Sequence, residues 1–249
     1  MVFYDVHCHL DMCSNKSEIL ENLKDKNIIA ITNGLNPKSN RESLKLSEIC
    51  ENVKSSLGFY PMEAICEDEY NLDKEIEFIE ANSKKIIAIG EIGMDFKECF
   101  EDKKREKQKE IFKKFVNLAI KINKPIIVHS RKAEEDIIKI LEESKYKKVI
   151  LHCFSANFKL IKRAANNEWF FSIPTSVKYN EHFQKIIEEI QINQLFCETD
   201  SPFLHPIKLK NNTPLNISFV YEEISRIKRI SLKEVESMIE HNFKNLFLV

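Results

Sequence analysis

The chain has 249 residues, 43% hydrophobic and 31% charged, which is enough to bury a core and excludes a disordered or collagen-like polypeptide. Its 38 Lys+Arg nearly balance 39 Asp+Glu, so no blanket attraction to nucleic acid operates and any grip on phosphate must come from a local patch. Seven scattered cysteines without a C-x-x-C pair argue against a disulfide framework and for a reducing, cytoplasmic setting.

The N-terminus, MVFYDVHCHL, places Asp5 where a signal peptide needs a basic and then an apolar stretch, and no apolar run approaches a membrane span. From there, short apolar or β-branched runs alternate with longer amphipathic stretches. Strands are predicted at Phe3–His7, Ile28–Thr32, Ser56–Gly58, Ile86–Gly90, Ile126–His129, Val149–His152, Trp169–Ile173 and Leu195–Glu198. Helices are predicted between them at Lys16–Lys26, Asn40–Cys50, Asp68–Asn82, Glu101–Asn123, Ala133–Ser144, Phe158–Asn167 and His182–Ile190. The clearest is Glu101–Asn123, with Ile111, Phe115, Leu118 and Ile122 spaced three and four apart. Two more, Ser218–Lys228 and Leu232–Leu246, end the chain, the second opened by a Ser231/Glu234 capping box. Eight β-then-α units in about 250 residues match a (β/α)8 TIM barrel, although a doubly wound open sheet also alternates. No linker, repeat or low-complexity tract interrupts the series, so one domain, 1–249, is expected.

Chemistry concentrates where these strands end. His7 and His9 close the first strand, Glu91 follows the fourth, His129 and His152 close the fifth and sixth, and Asp200 lies just past the eighth. In a barrel that rim is the catalytic face, and four imidazoles with two carboxylates form a ligand set for divalent metals. Each residue also has a plainer reading. His7-Cys8-His9 alone is a weak motif, but the two-residue period of a strand puts both rings on one face and turns Cys8 away. Glu91 after buried aliphatics needs a partner, which a metal or an arginine would supply. A lone histidine ending an apolar strand is commonly a satisfied core residue; two successive strands ending so favour metal. Asp11 is placed to support a ligand. Glu198 is read as a structural, hydrogen-bonded carboxylate, and Asp95 as either orienting a ligand or capping a loop. His182 and His241 read as solvated helical residues and His205 as a loop residue. Cys8, Cys153 and Cys197 alternate away from the ligand face.

The segments DVHCHLD (5–11), GEIGMDF (90–96), PIIVHSRKA (125–133), LHCFSAN (151–157) and ETDSPFL (198–204), with QKEIF (108–112) and NFKNLF (242–247), resemble the TatD-type metal-dependent DNase family of amidohydrolase-like barrels. The resemblance spans nearly the whole chain in order. It implies a TIM barrel with two divalent metals (Zn, Mn, Co, Ni or Mg). It assigns His7, His9 and Asp200 to one metal, His129 and His152 to the other, and Glu91 to the bridge. The implied activity is phosphodiester hydrolysis in DNA, single-stranded DNA being the expected substrate, with no membrane or obligate protein partner. The chain departs from the family's pattern twice. After the third strand it has Gly58-Phe59-Tyr60-Pro61, with Tyr60 for a histidine. After the eighth it has Asn211-Asn212-Thr213-Pro214, with Asn211 for an arginine. Tyr60 can still donate a hydrogen bond to a phosphate, whereas Asn211 gives up a charged, bidentate clamp. Arg131, two residues past His129, is the nearest cation for substrate, its alternative being a surface salt bridge. Lys132, Lys208 and Lys210 are further cations that compensate. Asp200 is the candidate general base. The competing reading is a hydrolase of an amide, lactone or aminoacyl ester using the same centre.

Overall fold

A computed structural model describes residues 2–247; Met1, Leu248 and Val249 of the expected 1–249 domain lie outside the described residues. Eight strands form one sheet in chain order: β1 (Phe3–Cys8), β2 (Ile28–Asn33), β3 (Val53–Leu57), β4 (Ala88–Asp95), β5 (Ile126–Arg131), β6 (Val149–His152), β7 (Phe170–Pro174) and β8 (Leu195–Glu198). Helices follow them: α1 (Lys16–Asp25), α2 (Pro37–Ile49), α3 (Pro61–Ala64), α4 (Glu69–Ala81), α5 (Asp102–Ile122), α6 (Glu134–Ser144), α7 (Phe158–Asn166), α8 (Glu181–Glu189), α9 (Ser218–Lys228) and α10 (Leu232–Phe247). Sequential parallel strands with a helix after each give the (β/α)8 barrel class that the alternation predicts.

Internal contacts divide the chain into two compact units, residues 1–32, 45–54 and 170–249, and residues 33–44 and 55–169. In the first, β1 runs parallel to β2 (Phe3 opposite Ile28) and β7 parallel to β8 (Phe171 opposite Leu195). Helix α10 closes this unit by burying Val235, Ile239, Phe243 and Leu246. The Phe243 ring lies 4.2 Å from that of Tyr4, centroid to centroid, and Asn242 Nδ2 donates to the carbonyls of Ile192 and Leu195 where β8 begins. Each such apolar side chain contributes about 1.5–3 kcal/mol by burial. The predicted capping box forms: Glu234 N–H donates to Ser231 Oγ at 3.2 Å, and Ser231 N–H to Glu234 Oε2 at 2.8 Å. In the second unit β3, β4, β5 and β6 pair in parallel, and α5 buries Ile111, Phe112, Phe115, Val116, Leu118 and Ala119.

Three boundaries differ from the sequence expectation by three residues or more. β3 starts at Val53 because Val53 is buried although Lys54 interrupts the apolar run. α2 starts at Pro37, whose fixed φ suits a first helical position. β4 does not end at Gly90: it continues through Glu91 to Asp95, with Gly93 opposite His129 and Asp95 opposite Arg131. Glycines in β4 and just past β3 allow this. A Cβ on Gly93, at φ +147, would sit 2.0 Å from the His129 carbonyl oxygen, and one on Gly58 would sit 2.4 Å from that of Glu91. Neighbouring backbones therefore close on β4 where its functional side chains emerge. All seven cysteines are free, and among the described residues no helix is long and apolar enough to cross a membrane.

Candidate metal centre

Each unit gathers three of the six predicted ligands. In the first, His7 and His9 project to one side of β1 and its end, their rings edge to face at 4.9 Å. Asp200 Oδ1 lies 3.4 Å from His7 Nε2 and 3.6 Å from His9 Nε2, and one ligand atom from each of the three residues falls within 4.8 Å of the others. The backbone sets this arrangement. Asp200 N–H donates to the His7 carbonyl at 2.9 Å, and His9 N–H to the Ser201 carbonyl at 2.7 Å. Asp200 adopts φ +52, so the chain turns sharply as it leaves β8. Cys8 points away as expected, with its Sγ on the Ile31 carbonyl.

Beneath this trio sits Asp5, which shares the face of β1 with His7 by the two-residue period. One carboxylate oxygen accepts Thr199 N–H at 2.9 Å and His7 N–H at 3.2 Å; the other accepts the Thr199 hydroxyl at 2.6 Å. Burial pushes the Asp5 carboxyl up to about 7, against the Thr199 and His7 hydrogen bonds that favour the anion. Asp11 is half-buried, and burial raises its pKa while the neighbouring His9 opposes the rise.

In the second unit Glu91 is buried, its Oε1 2.7 Å from His129 Nδ1 and 3.8 Å from His152 Nε2. The other nitrogen of His129, Nε2, faces Asp95 Oδ2 at 3.1 Å, so Nδ1 is the nitrogen turned toward Glu91. Asp95 is fixed in turn. Its Oδ1 accepts the N–H groups of Lys97 and Glu98, its Oδ2 accepts the Tyr60 hydroxyl at 3.0 Å, and its main chain is held at N–H and C=O by the Gln108 amide from α5. Burial alone would lower the His129 pKa, but hydrogen bonds to Asp95 and Glu91 prevail and take it up to about 9. Asp95 moves the other way: burial would raise it, and the His129, Glu98 and Tyr60 hydrogen bonds hold it below the ordinary carboxylate value. Burial, then Asp95, raises the Tyr60 pKa, so its phenol remains a donor.

Asp95 thus takes both roles left open by the sequence, orienting His129 and capping a loop. Tyr60, predicted to bind substrate, directs its hydroxyl hydrogen to Asp95. Arg131 ends β5 on the surface, 3.9 Å from Glu98. Asn211 lines a cavity of about 370 Å³ with Met12, Asn15, Pro202 and Leu215. Glu198 is the structural carboxylate expected, buried and accepting the Ser172 hydroxyl at 2.5 Å. His205 locks a loop turn by accepting Ile207 N–H at 2.8 Å, and His241 contacts Asn245 on the exposed face of α10. His182 sits on α8, its ring against Phe183. Sequence reasoning gave no role to Asp5 or Gln108, although Asp5 alternates with His7 and Gln108 lies one turn before Ile111 on the apolar stripe of α5.

Both sets consist of imidazole nitrogens and carboxylate oxygens on buried or half-buried side chains, without thiolate, a donor chemistry that fits a divalent cation. The profile of the family described as TatD related DNase matches residues 4–248. An uncharacterized metal-dependent hydrolase of Methanocaldococcus jannaschii is 36% identical over 98% of this chain and 96% of its own. The human deoxyribonuclease TATDN3 is 32% identical over 98% of this chain and 93% of its own. Among solved structures, YJJV, a TatD homologue from Escherichia coli, superposes with a TM-score of 0.90 at 21% identity, covering 99% of this chain and 98% of that one.

Proposed function

Because the chain belongs to the TatD-related DNase family, we propose that it is a divalent-metal-dependent hydrolase that cleaves phosphodiester bonds in DNA, acting as a single 1–249 domain. The observation that carries this reading is the His7–His9–Asp200 trio, whose ligand atoms all fall within 4.8 Å of one another. By the resemblance to the family, His7, His9 and Asp200 would hold one divalent cation, His129 and His152 would hold another, and Glu91 would serve both. Bound divalent cations supply Lewis acidity, making water acidic near neutrality and offsetting charge on the phosphoryl oxygens.

The chain's own groups do the rest. Asp200 takes the proton of the attacking water on a carboxylate oxygen. Asp95 holds His129 Nε2–H, fixing the tautomer that presents Nδ1. Thr199 and Asp5 fix the strand segments that carry His7 and Asp200. Single-stranded DNA as substrate, a cytoplasmic location and independence of a protein partner complete the proposal. Seven unpaired thiols suit a reducing compartment.

The uncharged Asn211 at the wall of the cavity beside Pro202 favours one competitor, a neutral amide, lactone or aminoacyl ester. The deciding experiment is turnover of 3′-labelled single-stranded DNA, beside small amides and esters, with Mn, Zn, Co, Ni or Mg added in turn. Elemental analysis of the parent and of Glu91→Ala runs in parallel. DNA cleavage with at least two metals per parent chain, and metal loss in the variant, supports the proposal. Turnover of only the small substrates replaces the nuclease, and unchanged metal content in the variant removes Glu91 from the bridge.

A further inference from the structure

The loop after β8 carries a feature the metal centre does not use. Phe203 is a large aromatic, 48% exposed, three residues past Asp200, with its ring 6.3 Å from that of His9. Exposed aromatics are ordinary where a chain is loose, but this segment is pinned. Phe203 N–H donates to the Asp200 carbonyl at 2.8 Å, and Asn212 N–H donates to Pro202 O at 2.8 Å. The Leu204 carbonyl accepts the Thr175 hydroxyl at 2.6 Å, and Asn212 Nδ2 reaches both Thr175 Oγ1 and the Thr199 carbonyl. The apolar ring is therefore held in water by a hydrogen-bonded frame.

The same frame continues outward. The Tyr179 hydroxyl donates to the His205 carbonyl at 3.3 Å, and Tyr179 is itself 40% exposed. Lys208 Nζ lies 4.9 Å from the centroid of the Tyr179 ring. Lys178 and Lys210 are exposed beside these residues in the sequence. In a chain whose charges nearly cancel, no acidic residue occurs from Ser201 to Tyr221. A row thus starts at a candidate ligand histidine, passes an aromatic ring, and ends at a second ring with the Lys208 ammonium beside it, while Lys178 Nζ lies 4.4 Å from the Phe219 centroid.

We propose that Phe203 and Tyr179, with Lys178, Lys208 and Lys210, form a track for single-stranded nucleic acid, with a base stacked on Phe203 next to His9 and the following phosphates met by the lysines. The chemistry selects this occupant. Every base has a π-face, so aromatic platforms bind single strands without reading sequence, while ammonium groups follow the backbone. A duplex keeps its bases stacked on one another and gives Phe203 nothing to hold. An acidic peptide would use the lysines but leave the fixed ring unexplained. Lys208 and Lys210 also lie within three residues of Asn211, the position that gives up charge, in the sequence. This inference rests on the nuclease reading for the fate of the strand, but binding to the track is measurable without cleavage.

The test uses the metal-loaded protein, a fluorescein-labelled oligothymidylate with a cleavage-resistant phosphorothioate backbone, and anisotropy titrations at several salt concentrations. Phe203→Ala should weaken binding on the order of tenfold, and Phe203→Trp should restore it. Lys208→Ala with Lys210→Ala should reduce the slope of log affinity against log salt by about 0.7 for each phosphate that is no longer neutralised. In turnover, Phe203→Ala should raise KM for the unmodified oligonucleotide about tenfold more than it changes kcat/KM for bis(p-nitrophenyl) phosphate, which has no base to stack. Equal losses on both substrates would make Phe203 a support for His9 and overturn the track. Unchanged affinity in Phe203→Ala, or tighter binding of duplex than of single strand, would overturn it as well. An oligonucleotide that binds with these signatures but is never cut keeps the track and removes the nuclease.

Discussion

The two ligand sets are held in place by different physics. His7, His9 and Asp200 owe their positions to main-chain hydrogen bonds between β1 and the residues that leave β8, backed by the Thr199 N–H and hydroxyl on Asp5. Glu91, His129 and Asp95 form a chain of alternating carboxylate and imidazole, ended by the Tyr60 phenol. A set positioned by backbone keeps its geometry when a side-chain charge is removed and suffers only in chemistry. A set positioned by charge loses geometry and chemistry together. Substitutions separate the two cases.

The largest effect is expected in the first set. Asp200→Asn keeps size and one oxygen donor, and its backbone bond to His7 is untouched. Removing a general base typically lowers the rate about 10²–10⁴-fold. We expect kcat to fall in that range with metal still bound, and the alkaline-rising limb of the pH–rate profile to flatten. Near-parent kcat with full metal would free Asp200 of proton transfer. Loss of all metal would show that charge, not backbone, holds this set.

Gly93→Ala attacks the backbone of the second set. At φ +147 an alanine is strained, and its Cβ meets the His129 carbonyl. Strain and overpacking together cost about 3 kcal/mol or more. Urea unfolding should show that loss as a lower midpoint with an unchanged slope. An unchanged midpoint would mean β4 and β5 can part without harm.

Asp95→Asn is milder, because it keeps an acceptor for His129 Nε2–H and removes only the charge. Replacing such a partner typically costs 10–100-fold in metal affinity or activity. The metal-free protein gives a second readout. Asp95, with a lowered pKa, contributes stability present above about 4 and lost as pH falls. His129, raised from 6.5 to about 9, contributes stability present below 6.5 and lost as pH rises through 9. The contribution of this pair, read as the difference between the metal-free parent and variant melting curves, should thus be largest between about pH 4 and 6.5 and shrink toward pH 9. Equal curves would take the charge out of the account.

The sequence carries these two sets unequally. Apolar runs ending in His7, His129 and His152 mark β1, β5 and β6, because a histidine at the end of a buried strand stands out. The end of β4 is hidden: the predicted strand stops at Gly90, so Glu91, Gly93 and Asp95 read as lying past it, and only the close approach of neighbouring backbones at the glycines carries the strand on to Asp95. Asp95 consequently looks like a residue past the strand, and its link to His129 is invisible. Gln108 is hidden differently. Its amide fixes the Asp95 main chain from α5 across thirteen residues, a pairing that no local periodicity encodes. The first set is more legible because His7 and His9 alternate at the end of one strand, β1.

The smallest expected effect belongs to Tyr60→Phe, and it bears most directly on the division between the sets. The phenylalanine keeps the ring that lies 5.2 Å from His129 and removes only the hydroxyl donated to Asp95. Asp95 retains Lys97 N–H, Glu98 N–H and His129 Nε2–H, so the carboxylate is not orphaned. One hydrogen bond from a set still satisfied is worth about 0.5–1.5 kcal/mol, or roughly two- to tenfold. The place where that loss appears decides the role of Tyr60. If the phenol acts through Asp95, metal affinity falls and the metal-free melting curve shifts with it, while KM for an oligonucleotide at saturating metal stays put. If it binds substrate, as the sequence alone suggests, KM rises and metal affinity does not change. Metal titration and steady-state kinetics on one preparation separate these outcomes, and the hydrogen bond to Asp95 leads us to expect the first.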